Sequence, residues 1–290
     1  MRLTVRTPAT AANLGPGFDA LALALGLHNE VVGETPAEPA VEVEGEGAGE
    51  LPEDPSNLIF RAMAFLAREV GGSLPSLRLR CRNGIPLERG LGSSASAVVT
   101  GVLLADRLLG SALPPDRLLG LAVDVEGHPD NVAACLRGGA VIAYLSRDGW
   151  RAERLEPHPD LRPVVLIPGG ERVPTQDARR VLPLEVPLRD AAFNVGRSAL
   201  AVRAFTHDPA LLHEALEDRL HQARRLELAP KARALFRDLR DADVPACVSG
   251  AGPTILAFEG VGGPIPELGP GWRVERPAVA GEGAAIAEEA

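Results

Sequence analysis

Pro86-Leu87-Glu88-Arg89-Gly90-Leu91-Gly92-Ser93-Ser94-Ala95-Ser96-Ala97 is a glycine–serine stretch set between a strand pattern and a helix pattern. Upstream, Leu77, Leu79 and Cys81 alternate with Arg78, Arg80 and Arg82, the two-residue period of a half-buried strand. Asn83-Gly84 reads as a turn. Downstream, Val98, Val99, Val102, Leu103, Leu108 and Leu109 recur at helical spacing, and Gly110 is a natural stop. Glycines let backbone N–H groups approach a ligand, serines add hydroxyls, and a helix N-terminus carries partial positive charge. Together these hold phosphate. Read in isolation, the same serines could merely cap a buried helix.

The chain has one lysine, Lys231; every other basic residue apart from histidine is arginine. A phosphate loop of the GxxxxGKS/T kind needs a lysine beside the phosphates, and protein-kinase chemistry needs a strand lysine behind its glycine loop. Neither is present. A nucleotide on this loop would be held by backbone dipoles, hydroxyls and a metal ion. A pyridoxal Schiff base could use only Lys231, in an exposed-looking helix start.

The length of 290 residues suits one large domain or two ordinary ones, and 46% apolar residues support full cores. Aromatics are only 3%, so those cores must come from Leu, Val and Ala. Net charge is −9 with no basic cluster interleaved with aromatics, which argues against nucleic acid or an anionic membrane as partner. The cysteines at 81, 135 and 247 lack metal-ligand spacing and suit reduced, buried thiols in a cytoplasmic protein. The N-terminus runs straight into a short strand at Leu3-Thr4-Val5 with no apolar leader, and no apolar run approaches the ~20 residues of a membrane span.

No internal repeat is evident. Residues 36–55 read as an elaborated hairpin region with a strand near Val41–Glu44, and Asn57–Val70 as a helix. A helix over Pro115–Glu126 and a strand over Val141–Leu145 follow. Composition shifts at 150–162, where Glu156-Pro-His-Pro-Asp160 reads as a linker. Beyond it the pattern predicts a strand at Val164–Pro168, then helices near 190–206, 208–227 and 230–242. Two apolar strands around a glycine turn (Ala246–Phe258) come next, and a short helix within Pro277–Ala290. Strands and helices mix without strict βαβ alternation, which gives α+β in two domains, 1–155 and 156–290.

Three further clusters carry chemistry. Pro8–Ala20 holds a formal GxGxxA (Gly15, Gly17, Ala20), but Pro16 removes a donor that pyrophosphate needs, so a dinucleotide reading is disfavoured. The loop reads better as one presenting Asn13 and Asp19, or as turn capping. Glu126-Gly127-His128-Pro129-Asp130-Asn131 puts a carboxylate at a helix end, suited to magnesium, beside an acid/base set; a simple N-cap is the alternative. Thr175-Gln-Asp-Ala-Arg179-Arg180 and Asp218-Arg-Leu-His221-Gln-Ala-Arg224-Arg225 offer arginine forks for carboxylate, or surface ion pairs.

Taken in this order, the segments resemble the GHMP kinase superfamily and, within it, the homoserine kinase family. Pro86–Ala97 looks like its central PxxxGLGSSA motif, Ser249-Gly250-Ala-Gly-Pro-Thr254 like its C-terminal glycine motif, and Pro8–Asp19 like the homoserine-kinase form of the first motif. The resemblance implies a ribosomal-protein-S5-domain-2-like N-terminal domain and a ferredoxin-like α/β sandwich after it. It implies Mg²⁺ and ATP as cofactors, L-homoserine as substrate and a homodimer in the cytoplasm. It implies phosphate contacts from Pro86, Gly90, Leu91, Gly92, Ser93, Ser94, Ala95 and Ser96, adenine near Asn57, and Mg²⁺ on Ser94 and Glu126. Arg179 and Arg225 would take the α-carboxylate, and Asn13 and Asp19 the α-ammonium. His128, Asn131 and Gly250 would line the pocket. Asp130, Asn131 and Thr175 would serve the transfer, with Asp130 the acid available as a base. Two positions depart from the family pattern: Ala11 replaces a serine, and Ala223-Arg224 replace a proline–tyrosine pair before Arg225. Another small-molecule kinase of the superfamily, or a catalytically inactive sensor of ATP or amino acid, remain the alternative readings.

Overall fold

A computed structural model describes residues 1–289. Two antiparallel strands form its spine, β1 (Arg2–Ala12) and the long β2 (Leu21–Glu34). Their register shifts between Pro8 and Ala9. Such an irregularity changes which face a strand presents. Leu3 and Val5 of β1 pack among the helices, whereas Ala9 and Ala11 turn to the other side. The spine thus serves two cores.

β3 (Ala40–Gly45), α1 (Leu58–Val70), β4 (Arg78–Asn83), α2 (Ser93–Leu109), α3 (Pro115–Glu126), α4 (Pro129–Arg137), β5 (Ala140–Ser146) and β6 (Gly149–Leu155) complete the first half. The sheet runs β1-β2-β4-β3, and β5 carries β6 on the other end of β2. Helices α1–α4 cover one face, with Met63, Leu66, Val98, Val102, Leu119 and Leu121 closing its core.

The second half contains β7 (Pro163–Pro168), α5 (Thr175–Arg180), α6 (Leu188–Thr206), α7 (Leu212–Ala215), α8 (Gln222–Leu226), α9 (Pro230–Asp241), β8 (Ala246–Val248), β9 (Ile255–Phe258), β10 (Trp272–Glu275) and β11 (Ala285–Glu289). Four of these strands form an antiparallel sheet, β10-β7-β9-β8. Period-2 alternation divides β7 cleanly. Val165 and Ile167 meet Leu23, Leu25 and Phe205 in a core shared with the first sheet, while Val164 and Leu166 meet Leu235 and Leu239 of α9. The shared core holds the two halves face to face.

The α+β mixture matches the sequence reading, and four local expectations are corrected. The end of the chain is a strand, not a helix: β11 pairs antiparallel with β1 from Arg2–Glu289 to Arg6–Ala285. The helix expected over 208–227 is broken into a 3₁₀ turn at Pro209–Leu211, α7 and α8. β3 is not part of a hairpin but lies parallel to β4, and α1 provides the crossover that parallel pairing requires. β1 extends seven residues beyond Val5, and β2 follows the Gly15–Ala20 loop as its antiparallel neighbour. No helix follows those glycines, so the dinucleotide geometry is absent there. We propose dividing the chain near residue 156, with β11 assigned to the first half whose sheet it joins.

Candidate active site

The glycine–serine stretch leaves β4 and enters α2 at Ser93, with Gly92 at the helix start in the left-handed region (φ 71°). Its glycines are required by close approach. A Cβ on Gly92 would fall 1.9 Å from the Thr10 Oγ1, and one on Gly90 2.1 Å from the Ser249 carbonyl oxygen. Three segments meet here. Thr10 N–H donates to the Leu91 carbonyl (3.1 Å), Ser249 Oγ donates to the Gly90 carbonyl (2.6 Å), and Gly250 N–H donates to the Ala12 carbonyl (3.0 Å). No side chain caps α2, so its first N–H groups point toward the loop without intrahelical partners.

Two clefts adjoin this loop and share Glu88, Ser93 and Ser94. The larger, about 420 Å³, runs over Val43, Leu51, Pro52, Leu58 and Cys81, with Asn57 in its wall. Asn57 also caps α1, accepting from Ile59 N–H (3.0 Å) and donating to the Pro52 carbonyl (2.8 Å). The smaller cleft, about 120 Å³, gathers Asn13, Asp19, Pro86, Gly90–Ser94, Glu126, His128, Asp130, Asn131, Thr175, Arg179, Arg225 and Gly250. Residues from six stretches of sequence converge on it. Ala95 is core, and Ser96, in the wall of the larger cleft, bonds through Oγ to Thr7 Oγ1 (2.7 Å) and accepts from Asn29 Nδ2 (3.0 Å).

Within the small cleft the charges are graded. Ser94 Oγ donates to Glu126 Oε2 at 2.6 Å. Burial raises the proton affinity of the Glu126 carboxyl, and His128, whose Nδ1 lies 3.9 Å from Oε1, partly offsets it. Asp130 is only 2% exposed, and burial pushes its carboxyl above the usual carboxylate range. It accepts from Asn131 N–H at 2.8 Å. The Asn131 side chain accepts from Thr10 Oγ1 (2.6 Å), which fixes its orientation beside Gly92.

On the opposite wall Arg179 of α5 forks onto Asp19 with distances of 3.1 and 2.8 Å. Burial works against this guanidinium's charge, but the Asp19 contacts prevail and hold it firmly protonated. Arg225 of α8 has no such partner. At 4% exposure it donates from Nη1 to the Gly250 carbonyl (2.7 Å) and faces His221 Nδ1 (3.3 Å), while Nε is buried without a hydrogen bond. Burial and the nearby Arg179 pull its pKa down to about 10. The Phe18 ring lies beneath both guanidinium groups, 5.3 Å from Arg225 Cζ and 5.9 Å from Arg179 Cζ. Asn13 is nearly spent on structure, donating to the Gly250 carbonyl (3.0 Å) and accepting from Asp19 N–H (3.1 Å).

Residues 57–139 match the GHMP kinases N terminal domain family. The homoserine kinase of Streptomyces coelicolor is 47% identical over 258 residues, covering 88% of this chain and 83% of that protein. The homoserine kinase of Streptomyces avermitilis is 44% identical over 97% of this chain and 94% of its own length. The chain belongs to the homoserine kinase family. Its fold is the two-domain GHMP kinase fold; a homoserine kinase structure from Cytophaga hutchinsonii superposes with a TM-score of 0.82 at 26% identity over 99% of this chain and 97% of that one.

Several residues of this homoserine kinase site escape a reading of the sequence. Thr10 and Phe18 lie inside the first motif, yet nothing in their spacing shows that one orients Asn131 and the other underlies two arginines. Asn194 of α6 bonds to Asp218 (2.7 Å), a contact across 24 residues that no local pattern announces. The spacing of Asp218 and His221 beside the Arg224–Arg225 pair gives them no task of their own. Their hydrogen bonds supply it.

Proposed function

We propose that the chain transfers the γ-phosphoryl group of ATP to the side-chain hydroxyl of L-homoserine, giving O-phospho-L-homoserine. The observation that carries the substrate is Arg225, a buried guanidinium held only by a carbonyl, an imidazole and an aromatic face, beside the neutralised Arg179–Asp19 pair. A buried cation without an anion is costly. A zwitterion relieves that cost: its carboxylate meets Arg225 with Arg179 alongside, and its ammonium meets Asp19 and the remaining lone pair of Asn13 Oδ1. The hydroxyl end then extends toward His128, Asn131 and Asp130.

ATP fits the other cleft. Its length runs from the apolar wall around Asn57, suited to a base, to Ser93 and Ser94, which both clefts share. The phosphates would lie on the Gly90–Ala95 backbone at the α2 N-terminus, where N–H groups and the helix dipole favour anions. Mg²⁺ suits the donor set. Ser94 and Glu126 are hard oxygen ligands 2.6 Å apart, and no cluster of three or more His, Cys, Asp or Glu among the described residues could form a protein cage. One or two protein oxygens plus phosphates are what this ion commonly takes. When bound, Mg²⁺ supplies charge neutralisation across the phosphates.

The chain's own residues then position the reaction. Asp130, raised in proton affinity by burial, takes the hydroxyl proton as the oxygen attacks. Asn131 and Thr175, both in the cleft wall, orient the acceptor and the transferring group. Alignment and charge stabilisation supply most of the rate. ADP release would be measured with Mg²⁺–ATP and L-homoserine, D-homoserine, L-serine, mevalonate or shikimate. Turnover selective for L-homoserine supports the proposal; turnover on another acceptor removes the substrate, and ATP binding with no turnover removes the reaction.

We further propose a homodimer in the cytoplasm. Leu184, Leu188 and Val195 are 104%, 84% and 72% exposed, and the last two share one face of α6. A second copy would cover them. The three cysteines are free and buried, as a reducing compartment allows, and no described helix is long and apolar enough to cross a membrane.

A further inference from the structure

The Asp218–Gln222 segment is not used by the reaction as derived, yet it is among the most constrained parts of the molecule. The Asp218 carboxylate accepts N–H groups of Leu220 (3.0 Å), His221 (2.8 Å) and Gln222 (2.8 Å), and the Asn194 amide. Gln222 accepts from Val248 N–H (2.7 Å) and donates to the Leu216 carbonyl (3.1 Å), tying α8 to the strand that leads into the Ser249–Thr254 loop. His221 is carried on this frame with its side chain fully enclosed.

Its two ring nitrogens have different partners. Nε2 lies 2.7 Å from the Gly15 carbonyl, which can only accept, so Nε2 carries the hydrogen. Nδ1 therefore presents a lone pair, and Arg225 Nη1 faces it at 3.3 Å. The same Nη1 donates to the Gly250 carbonyl at 2.7 Å. Both Nη1 hydrogens are then committed, which leaves the Nε–Nη2 edge, with its unbonded buried Nε, for a carboxylate fork. Burial lowers the His221 pKa to about 4, so the acceptor persists at neutral pH.

We propose that His221 is a positioning residue: a neutral, Nε2-protonated imidazole that turns the Nε–Nη2 edge of Arg225 toward the carboxylate of the amino-acid substrate. This rests on Arg225 being the carboxylate anchor.

The test compares His221→Gln, which can keep the donor to Gly15 but offers Arg225 no acceptor at the Nδ1 position, with His221→Asn, which keeps an acceptor there. Steady-state kinetics would use L-homoserine and 3-aminopropan-1-ol, the same acceptor without its carboxylate. For L-homoserine, His221→Gln should raise KM about tenfold with kcat and the KM for ATP within about twofold, the size of one lost hydrogen bond. His221→Asn should recover most of that loss, and kcat/KM for 3-aminopropan-1-ol should not distinguish either variant from the parent. Equal losses in both variants, no loss in His221→Gln, or a loss that persists with 3-aminopropan-1-ol would overturn the proposal. Arg225→Gln is the control on the underlying reading: if it leaves the homoserine KM unchanged, the substrate assignment fails, whatever His221 does. Should the His221 variants not fold, ¹⁵N NMR of the parent decides. An Nε2–H tautomer at neutral pH is expected, and an Nδ1–H tautomer overturns the role.

Discussion

At the scale of single residues, the proposed role of Asp130 as base makes a prediction about pH, because the residue is buried. Asp130 is enclosed and its proton affinity is raised, so its deprotonated, active form is lost as pH falls at a higher pH than for an ordinary aspartate. The acid limb of the kcat profile should therefore sit above the normal carboxylate range. Asp130→Asn should lower kcat by about a hundredfold or more, with little change in the homoserine KM. Gly92 tests the loop in the same way. Alanine there would need a left-handed backbone and would strike Thr10 Oγ1, so Gly92→Ala should cost about 1–3 kcal/mol in a denaturant titration and raise the KM for ATP. Most of these residues are legible because their chemistry is local: a glycine loop before a helix, a carboxylate at a helix end. Phe18, Thr10 and Asn194 are illegible because each acts through a partner distant in sequence.

At the scale of elements, local pattern and tertiary partner compete. Leu211, Leu212, Leu216 and Leu220 recur at helical spacing, which predicts a single helix over 208–227. Asp218 breaks it by accepting three successive N–H groups, and the chain restarts as α8. Ala285–Glu289 is only five residues, too short for helical and strand periods to be told apart. The exposed edge of β1 makes it a strand, with Ile286 packed against the first core. Removing residues 284–290 should uncover that edge, lower stability by about 2 kcal/mol or more and promote aggregation, measurable by thermal melting and light scattering. The long helices needed no such partner, since 12 to 19 residues of consistent period specify them, and β7 is marked by its short unbroken apolar run.

At the scale of the whole molecule, an exposed face and a buried imidazole make opposite demands on solvent. If the α6 face joins two copies, Leu188→Glu with Val195→Glu should give a folded monomer by sedimentation, with half the mass of the parent. The buried His221 makes stability pH-dependent. Its folded pKa of about 4 lies below the unfolded value near 6.5, so the unfolded chain binds the proton first and stability is lost as pH falls through that interval. Raised Glu126 and Asp130 oppose the trend, because they gain protons more readily when folded. Comparison with His221→Asn isolates the histidine, and the variant's stability should fall less steeply between pH 6.5 and 4.

The return of β11 to the edge of β1 also sets a schedule for synthesis. β1 is synthesised long before its neighbour β11, so a nascent chain emerging from the ribosome carries an open sheet edge until β11 is made. The seam can close only once β11 has left the ribosome. The first half must therefore wait, exposed to chaperones and to neighbouring copies on the same polysome, until β11 has been translated.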